Sequence, residues 1–304
     1  MARFVNIATI HFQVSENLEE RTRESAYAQL AEAAAMLNGT GVDLVVTCEG
    51  MESVGQTMDQ AENVSSPGPL LRAYQAIAEA NHCTVAGSIK LEDGGKVYNA
   101  LAFIGPDGGV LGDYRKTFPT TGELKKGIQP GSGAKVVETP AGRLGGAICY
   151  DLKFDDLRDQ YQHLCPDVLC FSSMFHGAHT QANWAFQCRC FFAAACKDIS
   201  SDILSPLGHN LASTSYYGRI ARARVNLDRF ITGDGGYYAE LSDIYRKYRN
   251  EVVIEKDLGL GVSVLYSQSD RRSAAEIAKE FGLVDIDEQF LAYRSMLRQR
   301  QERL

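Results

Sequence analysis

Three side chains with complementary chemistry stand just past apolar runs. Glu49 follows DLVVTC, Lys116 ends VLGDYRK, and Cys149 ends RLGGAIC. Open α/β sheets place ligand sites beyond their strand ends, so these three groups can converge there. A thiol, a carboxylate and an ammonium make a nucleophilic site. The thiol attacks, the carboxylate moves protons, and the ammonium stabilises developing negative charge. A free cysteine, with a pKa of roughly 8.5, is mostly protonated at neutral pH. A nearby lysine and a following helix N-terminus favour the thiolate, and a neighbouring glutamate can serve as the base. No histidine has a claim to partner Cys149, which weighs against a Cys–His arrangement. The residues alone leave two choices open: Glu52 competes with Glu49, and Arg115 competes with Lys116.

The elements that must hold these groups follow from periodicity. Residues 3 to 10 read as a first strand. NLEERTRESAYAQLAEAAAMLNG carries Leu30, Ala33, Ala34 and Leu37 at helical spacing. Asn17 with Glu20 is expected to cap its start and Gly39 to end it. DLVVTC and CTVAGSI are the short apolar runs of strands buried on both faces. Pro69 suits the first turn of a second helix. KVYNALAFI and VLGDYRKT form a hairpin around GPDGG, and AKVVETPAGRLGGAICYD forms another that turns at Pro140-Ala141-Gly142. A helix near 155 to 164, the strand DVLCFSS and a helix around Trp184 follow. Short strands are expected from about 211 to 225 and near 252 to 266. This order predicts a layered α/β fold with mixed sheets.

Composition narrows the function. The chain has 304 residues, a net charge of −7 and 45% apolar residues, the profile of a soluble protein without a nucleic-acid surface. It has no apolar run of about 18 residues, so no membrane span is expected. The N-terminus lacks signal-peptide features, so a cytoplasmic location is expected, where thiols stay reduced. Cys165, Cys170, Cys188, Cys190 and Cys196 cluster with His176 and His179. They contain no CxxC pair, and Cys188 and Cys190 would point apart on a helix, so a structural metal is not expected.

Taken together, the strand ending in Glu49, the DYRK ending in Lys116 and GGAICYDLKF around Cys149 resemble the nitrilase superfamily of carbon–nitrogen hydrolases over roughly residues 3 to 266. The resemblance implies a four-layer α-β-β-α sandwich with two mixed β-sheets and a Glu49–Lys116–Cys149 triad. It selects Glu49 and Lys116 over their neighbours. It also places Glu123, in KTFPTTGE, as a fourth catalytic residue. A hydrolase domain over 1–266 and a helical extension over 267–304 are expected, and pairing into a homodimer or larger assembly. The apolar residues Phe290, Leu291, Tyr293, Met296 and Leu297 of that extension need a surface to cover.

The sequence departs from the family at Cys48, where proline is common, and at Lys153-Phe154-Asp155-Asp156, where Arg-Phe-Pro-Glu is common. Of two alternating arginines near Trp184, Arg189 is kept. These changes touch the pocket wall and the subunit contact rather than the triad. Tyr150, Phe175 and His176 are the expected substrate contacts, with the Tyr150 backbone N–H as an oxyanion donor. Nitrile-cleaving members usually follow the cysteine with tryptophan and glutamate; Tyr150 and Asp151 favour amides instead. The expected reaction converts a small linear carboxamide to an acid and ammonia through a thioester, with no metal or organic cofactor. A nitrilase or N-carbamoyl amidohydrolase using the same triad is one alternative. A catalytically silent binding protein on the same fold is another.

Overall fold

The computed structural model describes residues 1–13, 22–51, 58–215, 217–233 and 236–302. They form two compact units: Val5–Arg224, and Met1–Phe4 together with Val225–Leu304.

The first unit opens with β1 (Phe4–Ile10), α1 (Arg23–Leu37), β2 (Leu44–Thr47), α2 (Pro69–Asn81), β3 (Thr84–Asp93), β4 (Lys96–Ile104) and β5 (Val110–Arg115). All four residues of β2 are buried, as the apolar run required. β2 pairs in parallel with β1 and β3, with Leu44 opposite both Ile7 and Thr84. The N-cap of α1 is Thr22, whose hydroxyl accepts the Ser25 N–H; the Asn17–Glu20 cap lies outside the described residues. Gly39, at φ 72°, turns the chain just after the C-cap Asn38. Pro69 opens α2 as expected. The buried Glu62 carboxylate accepts the Leu70 and Leu71 N–H groups, each at 2.9 Å, and so caps that helix from outside it.

The chain continues through α3 (Thr121–Lys125), β6 (Val136–Thr139), β7 (Gly142–Ile148), α4 (Asp155–Leu164), β8 (Val168–Ser173), α5 (His179–Gln187), β9 (Phe191–Cys196), β10 (Asp202–Leu204), β11 (Asn210–Ser213) and β12 (Ile220–Asn226). One six-stranded sheet has the order β12-β1-β2-β3-β4-β5 and the other β11-β10-β9-β8-β7-β6. The sheets pack face to face, β2 on β8 and β9, and β4 and β5 on β7. Ser172 Oγ donates across that interface to the Thr47 carbonyl at 2.7 Å. With α1 and α2 outside one sheet and α4 and α5 outside the other, the expected four-layer sandwich is present.

One local expectation is corrected. The helix around Trp184 stops at Gln187, and residues 191 to 196 form the buried central strand β9. Cys188 and Cys190 therefore do not point apart on a helix. Arg189 between them takes φ 54°, both cysteines are buried, and their thiols share a hydrogen bond. FFAAAC is apolar throughout, and such a run reads the same in a buried helix as in a buried strand. All eight cysteines are free thiols.

The second unit adds β13 (Arg229–Gly233), α6 (Tyr238–Tyr248), β14 (Val252–Asp257), β15 (Val262–Ser267), α7 (Ala274–Glu280) and α8 (Ile286–Gln301). Its three strands pair antiparallel in the order β13-β15-β14. Leu241, Ile244, Val252, Leu265, Ile277 and Ala278 share its core, so residue 266 falls inside a strand that α7 packs against. In α8, Ile286 is the one buried residue; Phe290, Leu291, Tyr293, Met296 and Leu297 are exposed.

Candidate active site

β2, β5 and β7 each end one or two residues before one of the three candidate residues, and their packing brings Glu49 into contact with both Lys116 and Cys149. Lys116 is 1% exposed and Glu49 5% exposed, so both charges are held inside the protein. An uncompensated buried charge is costly, so such groups need partners. Lys116 Nζ donates to Glu49 Oε1 at 3.0 Å and to Glu123 at 2.9 and 3.1 Å. Its backbone is pinned as well: its N–H donates to the Asn99 carbonyl, and its carbonyl accepts the Gly131 N–H, both at 2.8 Å.

Asn99, from β4, ties the two carboxylates together. Its Nδ2 donates to Glu49 Oε1 at 2.8 Å and to Glu123 Oε1 at 2.7 Å. Glu123 lies in the short helix α3, where it forms a capping box with Thr120 and accepts the Thr120 N–H at 2.7 Å. Burial alone would lower the Lys116 pKa, but the Glu49 and Glu123 carboxylates more than offset this and hold its ammonium firmly charged. Burial likewise opposes the charge on Glu123; Lys116 and Asn99 reverse that effect and keep its carboxyl below the ordinary range. Glu49 Oε1 is committed to Lys116 and Asn99. Its other oxygen, Oε2, is buried and engaged by neither Lys116 nor Asn99, and the Cys149 thiol bonds to this carboxylate.

Cys149 begins a 3-10 turn, Cys149–Lys153, directly after β7, and takes φ 47°. A non-glycine residue in the left-handed region needs strong local restraint. Asp151, fully buried, supplies it. Its Oδ2 accepts the Ile148 N–H at 2.9 Å and the Tyr114 hydroxyl at 2.7 Å, and its Oδ1 accepts the Phe118 N–H at 2.8 Å. Gly146 lets Tyr114 reach it, since a Cβ there would stand 2.6 Å from the Tyr114 side chain. Burial pushes the Cys149 thiol up to about 12, and the Glu49 charge adds to this; Lys116 and the Met174 N–H pull the other way. The resting sulfur is thus a thiol that needs a base.

The rim is aromatic. Tyr150 is 42% exposed and meets the Phe154 ring edge-on at 5.3 Å, while Phe154 stacks on Phe118 at 3.9 Å. Phe175, half-buried, carries the Lys153 ammonium 5.2 Å above its ring. His176 has both ring nitrogens engaged within the protein: Nε2 with Asp202 Oδ2 at 2.5 Å, and Nδ1 with the Ala178 N–H at 3.1 Å. Arg115, the competitor to Lys116, points away into a pair of aspartates, Asp113 and Asp93, at 2.7 and 2.8 Å. Glu52, the competitor to Glu49, lies outside the described residues. Among the described residues no group of three His, Cys, Asp or Glu side chains is arranged to hold a metal ion.

Sequence reading missed Asn99, Tyr114 and Met174, and took Asp151 only as a mark of amide preference. Asn99 had a signal, a lone amide inside the apolar strand KVYNALAFI. A buried amide in a strand needs polar partners, and here they are the two carboxylates.

Residues 13–228 match the carbon-nitrogen hydrolase family. The omega-amidase NIT2 of Homo sapiens is 32% identical over 127 residues, which cover 39% of this chain and 46% of that protein. That of Danio rerio is 30% identical over 199 residues, covering 60% and 68%. The chain thus spans about half the length of the human relative it matches. Nit3 of Saccharomyces cerevisiae, a nitrilase-superfamily member, superposes with a TM-score of 0.62 at 18% identity, covering 74% of this chain and 90% of Nit3, and shares the fold.

Proposed function

The chain belongs to the carbon–nitrogen hydrolase family, and from that premise we propose that it is a thiol-dependent amidase acting on small linear carboxamides. The observation that carries this reading is the buried Lys116 ammonium bridging Glu49 and Glu123 beside the strand-end Cys149. Cys149 Sγ attacks the amide carbonyl carbon and yields its proton to Glu49 Oε2, the oxygen that Lys116 and Asn99 do not engage. The tetrahedral oxyanion is held by the Tyr150 N–H and by Lys116. Lys116 donates to Glu49 and to both Glu123 oxygens; giving up the longer Glu123 contact, 3.1 Å, turns one of its three donors to the oxyanion. Collapse breaks the C–N bond, and Glu49 returns the proton to the leaving ammonia. Water, deprotonated by Glu49, then hydrolyses the thioester and releases the carboxylic acid.

The relatives named omega-amidases point to amides that also carry a carboxylate. Lys153 is the cation suited to that group. Arg115 is neutralised by two aspartates, and the Arg189 guanidinium is turned onto the Phe186 carbonyl and ring. Lys153 sits on the turn that starts with Cys149, exposed, with no acidic partner among the described residues.

The test is ammonia release from matched amide, nitrile and carbamoyl substrates by wild type and Cys149→Ala. Wild type is expected to prefer the amide, and the variant to lose at least about 10⁴-fold in kcat. A nitrile preferred tenfold would overturn the amidase reading, and turnover by folded Cys149→Ala would overturn the thiol mechanism.

A further inference from the structure

We propose that His176 is a positioning residue for this reaction: together with Asp202 it clamps segment 173–178 against the turn that carries Cys149, and so holds the Met174 N–H beside the sulfur. The inference rests on Cys149 being the nucleophile.

The register places the two segments together. β7 and β8 run parallel with Ile148 opposite Ser172, so the residues that follow each strand are neighbours. The segment after β8 is tightly built. The Phe175 N–H donates to Ser173 Oγ at 2.9 Å, and the Gln181 side-chain amide donates to the His176 carbonyl. At Gly177, φ 84°, a Cβ would lie 2.3 Å from Leu152 Cδ2, so this backbone rests directly on the Cys149–Lys153 turn. Ala178 takes φ 47°, ψ −129°, a conformation that a residue with a Cβ adopts only under restraint.

His176 provides that restraint. Its Nδ1 accepts the Ala178 N–H, which makes the ring the neutral tautomer with its proton on Nε2. That proton goes to Asp202, a 6%-exposed carboxylate whose other oxygen accepts the Ser213 hydroxyl at 2.6 Å. Ser213, Asp202, His176 and Ala178 thus form one chain from β11 to the strained residue. The Met174 N–H at the near end of the segment favours the thiolate of Cys149.

The test measures kcat, KM and the pH dependence of Cys149 alkylation by iodoacetamide in His176→Leu, His176→Asn and His176→Gln, with Cys149→Ala assayed alongside. His176→Leu should lose about ten- to hundredfold in kcat, the cost of one hydrogen bond to a charged group. Its alkylation profile should move to higher pH, a shift that mere loss of fold stability would not produce. Asparagine restores the acceptor for Ala178 and glutamine the donor for Asp202, so each should recover part of the loss. If His176→Leu does not fold, the asparagine and glutamine variants carry the same comparison. A wild-type alkylation profile together with kcat within about twofold overturns the clamp. Dead Cys149→Ala beside unaltered His176 variants removes the clamp alone; active Cys149→Ala removes the thiol mechanism and the clamp with it.

Discussion

The floor of the site and its rim are built on opposite plans. At the floor, Lys116, Glu49, Glu123 and Asn99 are linked by hydrogen bonds of 2.7–3.1 Å, and Lys116 and Glu49 are almost wholly buried. At the rim, Tyr150 and Lys153 are exposed, Phe154 meets Phe118 and Tyr150 through rings, and Phe175 lies under the Lys153 ammonium. A buried polar network is strong when every member is satisfied and costly when one is removed. An aromatic rim tolerates exchange. Under the proposed mechanism, this difference assigns the chemistry to the floor and the selection of substrate to the rim.

Three substitutions sharpen or break this contrast. Glu49→Gln should have the largest effect. Losing the base should lower kcat about 10²–10⁴-fold. The same change removes the negative charge that raises the Cys149 pKa while Lys116 remains, so alkylation of Cys149 at pH 9 should become faster than in wild type. Turnover and thiol reactivity moving in opposite directions is the signature; a parallel fall in both would place Glu49 in a structural role.

Asp151→Asn comes next and is read in stability. Burial, only partly countered by its hydrogen bonds, pushes the Asp151 carboxyl up to about 6 from 3.8. A carboxyl raised in the folded state stabilises the fold most when neutral. Its contribution is full below about pH 3.8 and is lost as pH rises through about 6. Wild type should therefore lose about 3 kcal/mol of this contribution across that window, and Asp151→Asn should lack that slope. Urea unfolding at pH 4 and pH 7 compares the two; identical slopes would remove Asp151 as the titrating group.

Lys153→Met should act least, and only on selection. KM for an amide bearing a carboxylate should rise about tenfold, the order of one exposed or half-exposed charge contact, with little change for a neutral amide of the same length. Equal effects on both substrates would take Lys153 out of carboxylate recognition.

Much of the floor was legible in the sequence, because Glu49, Lys116 and Cys149 each end a run whose apolar pattern announces a buried strand. The four-layer order was legible for the same reason. The parts that were not legible depend on tertiary partners. Asn99 and Asp151 acquire their roles from groups 50 and 37 positions away in the chain, Glu49 and Tyr114. β9 was hidden because FFAAAC has no alternation to separate strand from helix. His176 was read as a pocket residue from its place after β8; that Asp202 and Ala178 occupy both its ring nitrogens is a fact of packing that periodicity does not encode.

The central claim is that Cys149 carries the acyl group between the two half-reactions. Acid-quenching wild type during turnover of a small carboxamide, then measuring the mass of the peptide that contains Cys149, tests it directly. The account predicts that this peptide gains the mass of the acyl group, that hydroxylamine removes the gain, and that the other seven cysteines stay unmodified. Product accumulating while the Cys149 peptide keeps its unmodified mass at every quench time, in an enzyme whose acyl transfer outruns its hydrolysis, would contradict it.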